Sequence, residues 1–395
     1  MIVEPYFSGA RCAQAHPTGC LRFTEDWIRR AKNGPRLGPP QRVLVIGSGG
    51  GVGLAARVAS AFGRGSASIG VSLERPGSPN RPGTAGWYRC LAFERAADRA
   101  GLVSRTVIGD AFADTVKQAV AELVAALLGK LDLLVYSIAA PRRFDPRAGK
   151  GYTSVIKALG EPVVGLDYDL ASDRLVVRTM PVASADEVSQ TVKVMGGEDF
   201  TWWVELLRAR RLLAPGVRCL TLSYVGVPQL ARTYRHGSLG RAKDDLEACA
   251  RQVNAELRAA ELGCAETAVL RALVTQASTA IPLNTLYTML LLRVLTERSV
   301  VEDPLDQANR LVTEELSGRL DEAGRRRLDE AEQSAEVQAE IWRRWRLLSD
   351  KSVAELAGVD DYRRQVHQLY GFDVPAVDYR AEVEPRQGST RLVAA

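Results

Sequence analysis

Tyr234 and Lys243 are separated by eight residues in the stretch YRHGSLGRAKDDL. A tyrosine brings a weakly acidic phenol, and a lysine brings a compact ammonium that lowers the pKa of a phenol beside it. Together they can hydrogen-bond, and finally protonate, an oxygen that is gaining negative charge. On one continuous helix, nine steps of about 100° would set the pair on opposite faces, about 13 Å apart along the axis. The intervening residues argue against such a helix. Gly237 and Gly240 are poor helix formers, and Ser238 is a good N-cap. A helix that begins near Ser238 leaves Tyr234 in the preceding loop, free to fold back towards Lys243 on the second turn. Lysine is also scarce, 8 of the 52 basic residues, so a lysine here answers a need for a compact cation. Spacing alone fits equally a packed tyrosine and a surface lysine.

A second constellation is Gly47-Ser48-Gly49-Gly50-Gly51-Val52-Gly53. It follows the apolar run RVLVI (42–46) and leads into Leu54-AARVASAFG, so it reads as strand, glycine loop and helix. Gly47, Gly51 and Gly53 give G-x-x-x-G-x-G rather than G-x-G-x-x-G. The physics is shared: glycines let the backbone turn tightly and approach a pyrophosphate held at the helix N-terminus. An acidic residue near the end of the next strand is the usual partner of such a loop. Glu74, in SLERPG, stands there. Its carboxylate would accept the 2′-hydroxyl of a ribose and repel a 2′-phosphate, favouring NADH over NADPH, while Arg75 beside it could receive that phosphate. Asp110-Ala111 and Ile138-Ala139 close the third and fourth strands, where a nucleotide on this sheet would touch them. Beside such a nucleotide the Lys243 ammonium would also bind the nicotinamide ribose.

The elements that must position these groups alternate short β-rich runs with longer helical patterns, as a parallel sheet requires. Strands are expected at 42–46, 66–74, 104–111, 131–140 and 217–226, with helices after 54, 91 and 113. Residues 264–278 resume the rhythm. The run 160–185 reads as a β-rich excursion, a hairpin with Ala-Ser-Asp at its tip. Residues 320–350 read as one charged helix bearing Trp342 and Trp345. No linker interrupts 40–300, so one domain is expected, with a nucleotide-binding core at about 42–140 and 217–280 and substrate-covering helices and tail at 281–395. The fold class is α/β, a doubly wound, mainly parallel sheet flanked by helices.

Composition narrows the partners. The 395 residues are 46% hydrophobic and 25% charged, with a net charge of +5, ordinary for a globular protein and too slight to imply nucleic acid. Basic clusters at Arg208-Ala-Arg-Arg211, Arg325-Arg-Arg327 and Arg343-Arg344 read as solvated helix faces. Six cysteines and three histidines are scattered without ligand spacing, so neither a metal site nor a disulfide framework is expected. The opening MIVEPYFSGARCAQAHPTGC has no basic start followed by an apolar run, so no signal peptide is indicated. Leu286–Thr296 is too short for a membrane span and contains Arg293. A cytoplasmic protein with reduced thiols is expected.

Several stretches carry a family resemblance: GTAGWY (83–88), GDAF (109–112), YSIAAPRR (136–143), VMGGEDF (194–200), SYVG (223–226), the Tyr-x8-Lys stretch, TQASTAIP (275–282) and LYGFDVPAVDY (369–379). They run in order along essentially the whole chain. In this the sequence resembles the trans-2-enoyl-CoA and enoyl-acyl-carrier-protein reductases of the FabV type. Tyr-x8-Lys is distinctive of that family, where short-chain dehydrogenases use Tyr-x3-Lys.

The resemblance implies a single Rossmann-type domain that reduces the carbon–carbon double bond of an enoyl thioester with NADH. It places the proton donor at Tyr234, the cofactor-binding lysine at Lys243, and a second, substrate-contacting tyrosine at Tyr224. Nucleotide contacts fall on Gly47 to Val52, Leu73-Glu74, Asp110-Ala111, Ile138-Ala139 and Leu273-Val274-Thr275. The substrate would ride on coenzyme A or acyl carrier protein, under an apolar helix from Pro282 to Leu295, in a monomer or homodimer without nucleic acid, membrane or metal. Three stretches depart from the family pattern: GSGGGVG for GASTGYG, Arg235-His236 for Trp-Asn or similar, and Asn284-Thr285 for an apolar residue and proline. They point to a divergent branch working on an unusual acyl chain. Two other readings stay open, a reductase or isomerase of an unsaturated polyketide intermediate and a catalytically silent nucleotide-binding paralogue.

Overall fold

The computed structural model describes residues 1–8, 11–313 and 319–395. Helix α1 spans Pro17–Asn33 and precedes the first strand of the main sheet, β1 (Arg42–Ile46). Then follow α2 (Gly51–Val58), β2 (Ala67–Ser72), α3 (Ala85–Arg99), β3 (Ser104–Ile108), α4 (Asp114–Leu123) and β4 (Leu131–Tyr136). Helices α5 (Ala185–Met195) and α6 (Glu198–Ala209) lead to β5 (Leu213–Ser223), α7 (Ser238–Ala259) and β6 (Gly263–Val269). Helices α8 (Thr285–Glu297) and α9 (Pro304–Val312), strand β7 (Arg326–Arg327) and strand β8 (Leu392–Ala394) complete the frame.

The strands form one eight-stranded parallel sheet in the order β7-β6-β5-β4-β1-β2-β3-β8. The inner six are the doubly wound order, and its direction reverses between β1 and β4, the crevice where such sheets bind ligands. A parallel sheet covered on both faces needs strands apolar on both faces. Val43, Leu44, Val45 and Ile46 are accordingly fully buried. Leu44, Ile46, Leu134 and Tyr136 pack on one side against α4, α6 and α7, while Val43, Val45, Leu133 and Val135 pack on the other against α1, α2 and α9.

The excursion is the expected hairpin. Val163–Asp169 pairs antiparallel with Arg174–Met180 around a turn at 170–173. Asp167 on this hairpin reaches α8. Its carboxylate accepts the amides of Leu283 and Leu286, both at 3.2 Å, and of Tyr168 at 2.9 Å. The anchor holds Leu283 at φ +60°, a costly conformation for a bulky side chain.

Residues 320–350 differ from the expected single helix. Asp321 and Arg325 close a turn with Gly324 at φ +74°, β7 adds to the sheet edge, and two helices, Glu330–Gln333 and Ala335–Trp345, follow. Charge pairing draws the segment to the sheet. Arg326 pairs with Glu266 at 3.0 Å, Arg327 with Asp329 at 2.6 Å and Arg325 with Asp321 at 2.8 Å. The arginines at 325–327 are therefore ion-paired at a sheet edge rather than a solvated helix face. Helix α8 buries most of its length against Ala335–Trp345 and Val359–Gln368, with Arg293 and Glu297 partly exposed. Among the described residues no helix is long and apolar enough to cross a membrane, and no cluster of metal-ligating side chains occurs.

Candidate active site

The carboxyl ends of β1, β2, β4, β5 and β6 open on one cavity of about 980 Å³. At one end lies the glycine loop. Gly47 adopts φ +90°, which L side chains rarely tolerate, and a β-carbon there would lie 2.1 Å from the Ser137 carbonyl oxygen. A β-carbon at Gly53 would lie 2.1 Å from the Gly47 carbonyl oxygen. The first turn of α2 therefore sits against the loop, backbone to backbone, and the helix N-terminus at Gly50 to Val52 lines the cavity, where an anion is favoured.

Glu74 also lines this cavity, but its carboxylate is already engaged. It accepts the hydroxyls of Ser72, at 2.9 Å, and Thr84. Burial raises its pKa, against these hydroxyls, the nearby Arg89 charge and the Trp87 amide, which lower it. A β-carbon at Gly49 would lie 2.2 Å from one of its oxygens, so the glycine that departs from the family's hydroxyl residue leaves room for this carboxylate. Arg75 turns away, donating to the carbonyls of Pro76 and Pro82.

Across the switch point Ile138 and Ala139 follow β4, and on the glycine-loop side Asp110 and Ala111 follow β3. Lys117 fixes that second loop from behind, a role the sequence reading missed. Its ammonium donates to the carbonyls of Ala111 at 2.9 Å and Phe112 at 2.7 Å, and pairs with buried Asp199 at 2.8 Å.

At the other end, Tyr234 ends a short 3₁₀ turn (Pro228–Thr233) and α7 begins at Ser238. The expected cap is displaced by one residue. Gly237 holds the N-cap position, and Ser238 instead bonds a neighbouring segment, donating to the Val155 carbonyl at 2.6 Å and accepting from the Lys157 amide at 3.1 Å. The Tyr234 carbonyl takes over at the helix start, accepting the amides of Gly237 at 3.0 Å and Gly240 at 3.1 Å. Gly240 permits this fold-back, since a β-carbon there would lie 1.9 Å from the Arg235 carbonyl oxygen. Tyr234 and Lys243 consequently face the same cavity.

Burial pushes the Tyr234 phenol up, against the Arg235 charge, which lowers it, while the Glu247 carboxylate raises it further. Arg235 forks onto Glu247 at 3.1 and 3.2 Å and pairs with Asp244 at 2.6 Å. Burial pulls the Lys243 ammonium down to about 8, against the Glu247 carboxylate, which raises it. That ammonium donates to the Leu222 carbonyl at 3.1 Å. Tyr224 meets Tyr234 edge to face, with ring centroids 5.0 Å apart. Its hydroxyl donates to Glu332 at 2.8 Å.

Leu273 and Thr275 line the cavity beyond β6. Ser48 and Val274 do not: Ser48 is fully buried with its hydroxyl directed at the Val71 carbonyl, and Val274 packs in an apolar cluster. The apolar helix expected to cover the acyl chain contributes through its approach, with Ile281, Pro282 and Asn284 on the cavity and the helix body packed into the core.

A doubly wound sheet whose glycine loop and phenol–ammonium pair open on one cavity is that of a dinucleotide-dependent oxidoreductase. Comparison with known proteins gives the family, and the chain belongs to the trans-2-enoyl-CoA reductases. Residues 81–317 match the trans-2-enoyl-CoA reductase catalytic region, and residues 2–79 the NAD(P)H binding domain of trans-2-enoyl-CoA reductase. The chain is 40% identical over 387 residues to the trans-2-enoyl-CoA reductase (NADH) of Ruminiclostridium cellulolyticum, covering 97% of this chain and 98% of that protein. It is 40% identical over 390 residues to an enoyl-[acyl-carrier-protein] reductase (NADH) of Opitutus terrae, covering 98% and 99%. The solved Clostridium acetobutulicum trans-2-enoyl-CoA reductase in complex with NADH superposes with a TM-score of 0.94 at 36% identity, with 98% of each chain covered. Residues 320–383 match a region described as an enoyl reductase FAD binding domain. Here that segment forms a two-residue edge strand and short helices, with no strand running into a glycine loop, so it offers no cradle for a second dinucleotide.

Proposed function

We propose that the protein reduces the carbon–carbon double bond of a trans-2-enoyl thioester, carried on coenzyme A or acyl carrier protein, with NADH. The observation that carries this reading is the single cavity shared by the glycine loop, Glu74, Lys243, Tyr224 and Tyr234. When bound, NADH supplies a hydride to the β-carbon. The rest falls to this chain. Gly47, Gly49 to Val52, Asp110-Ala111, Ile138-Ala139, Leu273 and Thr275 hold the nucleotide, and Lys243 binds the ribose next to the reacting ring. Glu74 faces the other ribose with a fixed carboxylate that repels a 2′-phosphate, and Arg75 is turned away from rescuing it.

As charge moves onto the thioester oxygen, the Tyr234 phenol donates its hydrogen bond and then its proton, which ends on the α-carbon. Burial keeps that phenol protonated at neutral pH, as a donor must be. The Arg235 charge stabilises the phenolate left behind, before solvent protons restore it. Six unpaired cysteines accord with a cytoplasmic location.

The test is NADH oxidation, followed by loss of its absorbance, with crotonyl-CoA and longer enoyl thioesters. We expect turnover, with NADH preferred to NADPH. Inactivity on every enoyl thioester, on either carrier, would refute the reading. The Lys243 ammonium adds a pH signature. It is charged below about 8 and neutral above, so kcat/KM for NADH, which reports groups of the free enzyme, should fall as pH rises through that value. Lys243→Met should lower the plateau and erase the step. A wild-type profile that stays flat there would remove Lys243 from the cofactor site.

A further inference from the structure

Behind the tyrosines lies a carboxyl group that the reaction above does not use. Glu332 is fully buried on the short helix after β7. One of its oxygens accepts two phenols, Tyr224 at 2.8 Å and Tyr287 of α8 at 2.9 Å. The other accepts the amide of Ala272 at 2.6 Å, the residue before the cofactor segment Leu273–Thr275. Gln338 braces the group, donating to the Tyr287 oxygen at 3.0 Å and to the Glu332 carbonyl at 2.6 Å. One side chain thus ties together the tyrosine on the substrate side, the helix behind the acyl end and the strand extension under the cofactor.

We propose that Glu332 is a positioning residue that fixes the direction of the Tyr224 hydroxyl, so that Tyr224 faces the cavity only as a hydrogen-bond acceptor. The inference rests on the reductase reading. A phenol has one hydrogen to give, and Tyr224 gives it to Glu332. Its oxygen then offers the cavity lone pairs alone. Tyr224 therefore cannot donate to the thioester oxygen while this bond stands, and Tyr234 is the one phenol of the pair free to do so. The edge-to-face packing of the rings holds the two phenols side by side.

An amide at position 332 reverses this polarity. Its oxygen must take the Ala272 amide, so its NH₂ group faces the phenols, becomes the donor and frees the Tyr224 hydrogen to point into the cavity. Glu332→Gln is therefore expected to lower kcat about tenfold, the scale of one misdirected charge-assisted hydrogen bond, with KM for NADH within about twofold of wild type. The discriminating measurement is a double-mutant cycle with Tyr224→Phe, which has no hydroxyl to direct. In that background Glu332→Gln should cost nothing further. A full tenfold loss that persists beside Tyr224→Phe would make the role merely structural and overturn the proposal, as would wild-type kcat in Glu332→Gln alone. If Glu332→Gln does not fold, Glu332→Asp, which keeps the anion but withdraws it from the hydroxyl, takes its place in the same cycle with the same outcomes. Wild-type inactivity on all enoyl thioesters is a separate result that brings down the reductase reading, and this inference with it.

Discussion

Tyr234→Phe should lower kcat by roughly 10²–10⁴-fold, the range for a lost general acid, while NADH still binds. The substitution removes one oxygen and little else. The ring is 6% exposed and stays packed against Tyr224, and the Tyr234 backbone continues to hold the start of α7 through Gly237 and Gly240. Fold and nucleotide site should therefore survive, and the loss should appear in kcat rather than in the NADH dissociation constant, read by NADH fluorescence. The neighbouring phenol does not replace it, because Tyr224 has committed its one hydrogen to Glu332. A variant with kcat within threefold or so of wild type would mean that the proton comes from elsewhere and that Tyr234 is only packed.

The second large effect is steric. Gly53→Ala places a methyl 2.1 Å from the Gly47 carbonyl oxygen and 3.1 Å from its carbon. Neither atom can swing aside, because both are backbone, and Gly47 is itself fixed against Ser137. The loop must move or the helix must separate from it, at about 1–3 kcal/mol of stability for an overpacked site. Displacing the phosphate cradle by even 1 Å can cost roughly 10²-fold in function, so NADH affinity should fall by about that factor. Gly151→Ala is the internal control. It lies outside the cavity lining, its β-carbon would meet nothing within 4 Å, and it should be mild. Calorimetric titration with NADH compares the two variants, and equal affinities would contradict the backbone argument.

Much of this site was legible in residue order, for reasons that lie in local chemistry. RVLVI before a glycine run cannot be an exposed strand, and it forms the central β1. Gly237 and Gly240 placed a helix start between Tyr234 and Lys243, and α7 begins there. What escaped was tertiary. Strands β7 and β8, of two and three residues, are too short to show a period, and their pairing depends on an existing edge. Helices α1 and α6 carried no motif that required them. The capping box at Ser184 and Glu187 was a usable signal for α5. The scarcity of lysine pointed to Lys243 and could have pointed to Lys117 as well. Nothing local marks Glu332 as a neighbour of the reacting phenols. Glu332 sits in a charged stretch that reads as solvated, and only the sheet edge at β7 brings it under Tyr224.

The bonds from Asp167 to the amides of Leu283 and Leu286 have a mechanical result. The wall at Ile281–Asn284 and the hairpin at 163–180 are stitched by one buried carboxylate, so neither can breathe alone. Any widening of the acyl end must lift the two together or strip that anion of its donors. Solvent deuterium should therefore reach those two amides at the same slow rate at which it invades the hairpin ladder.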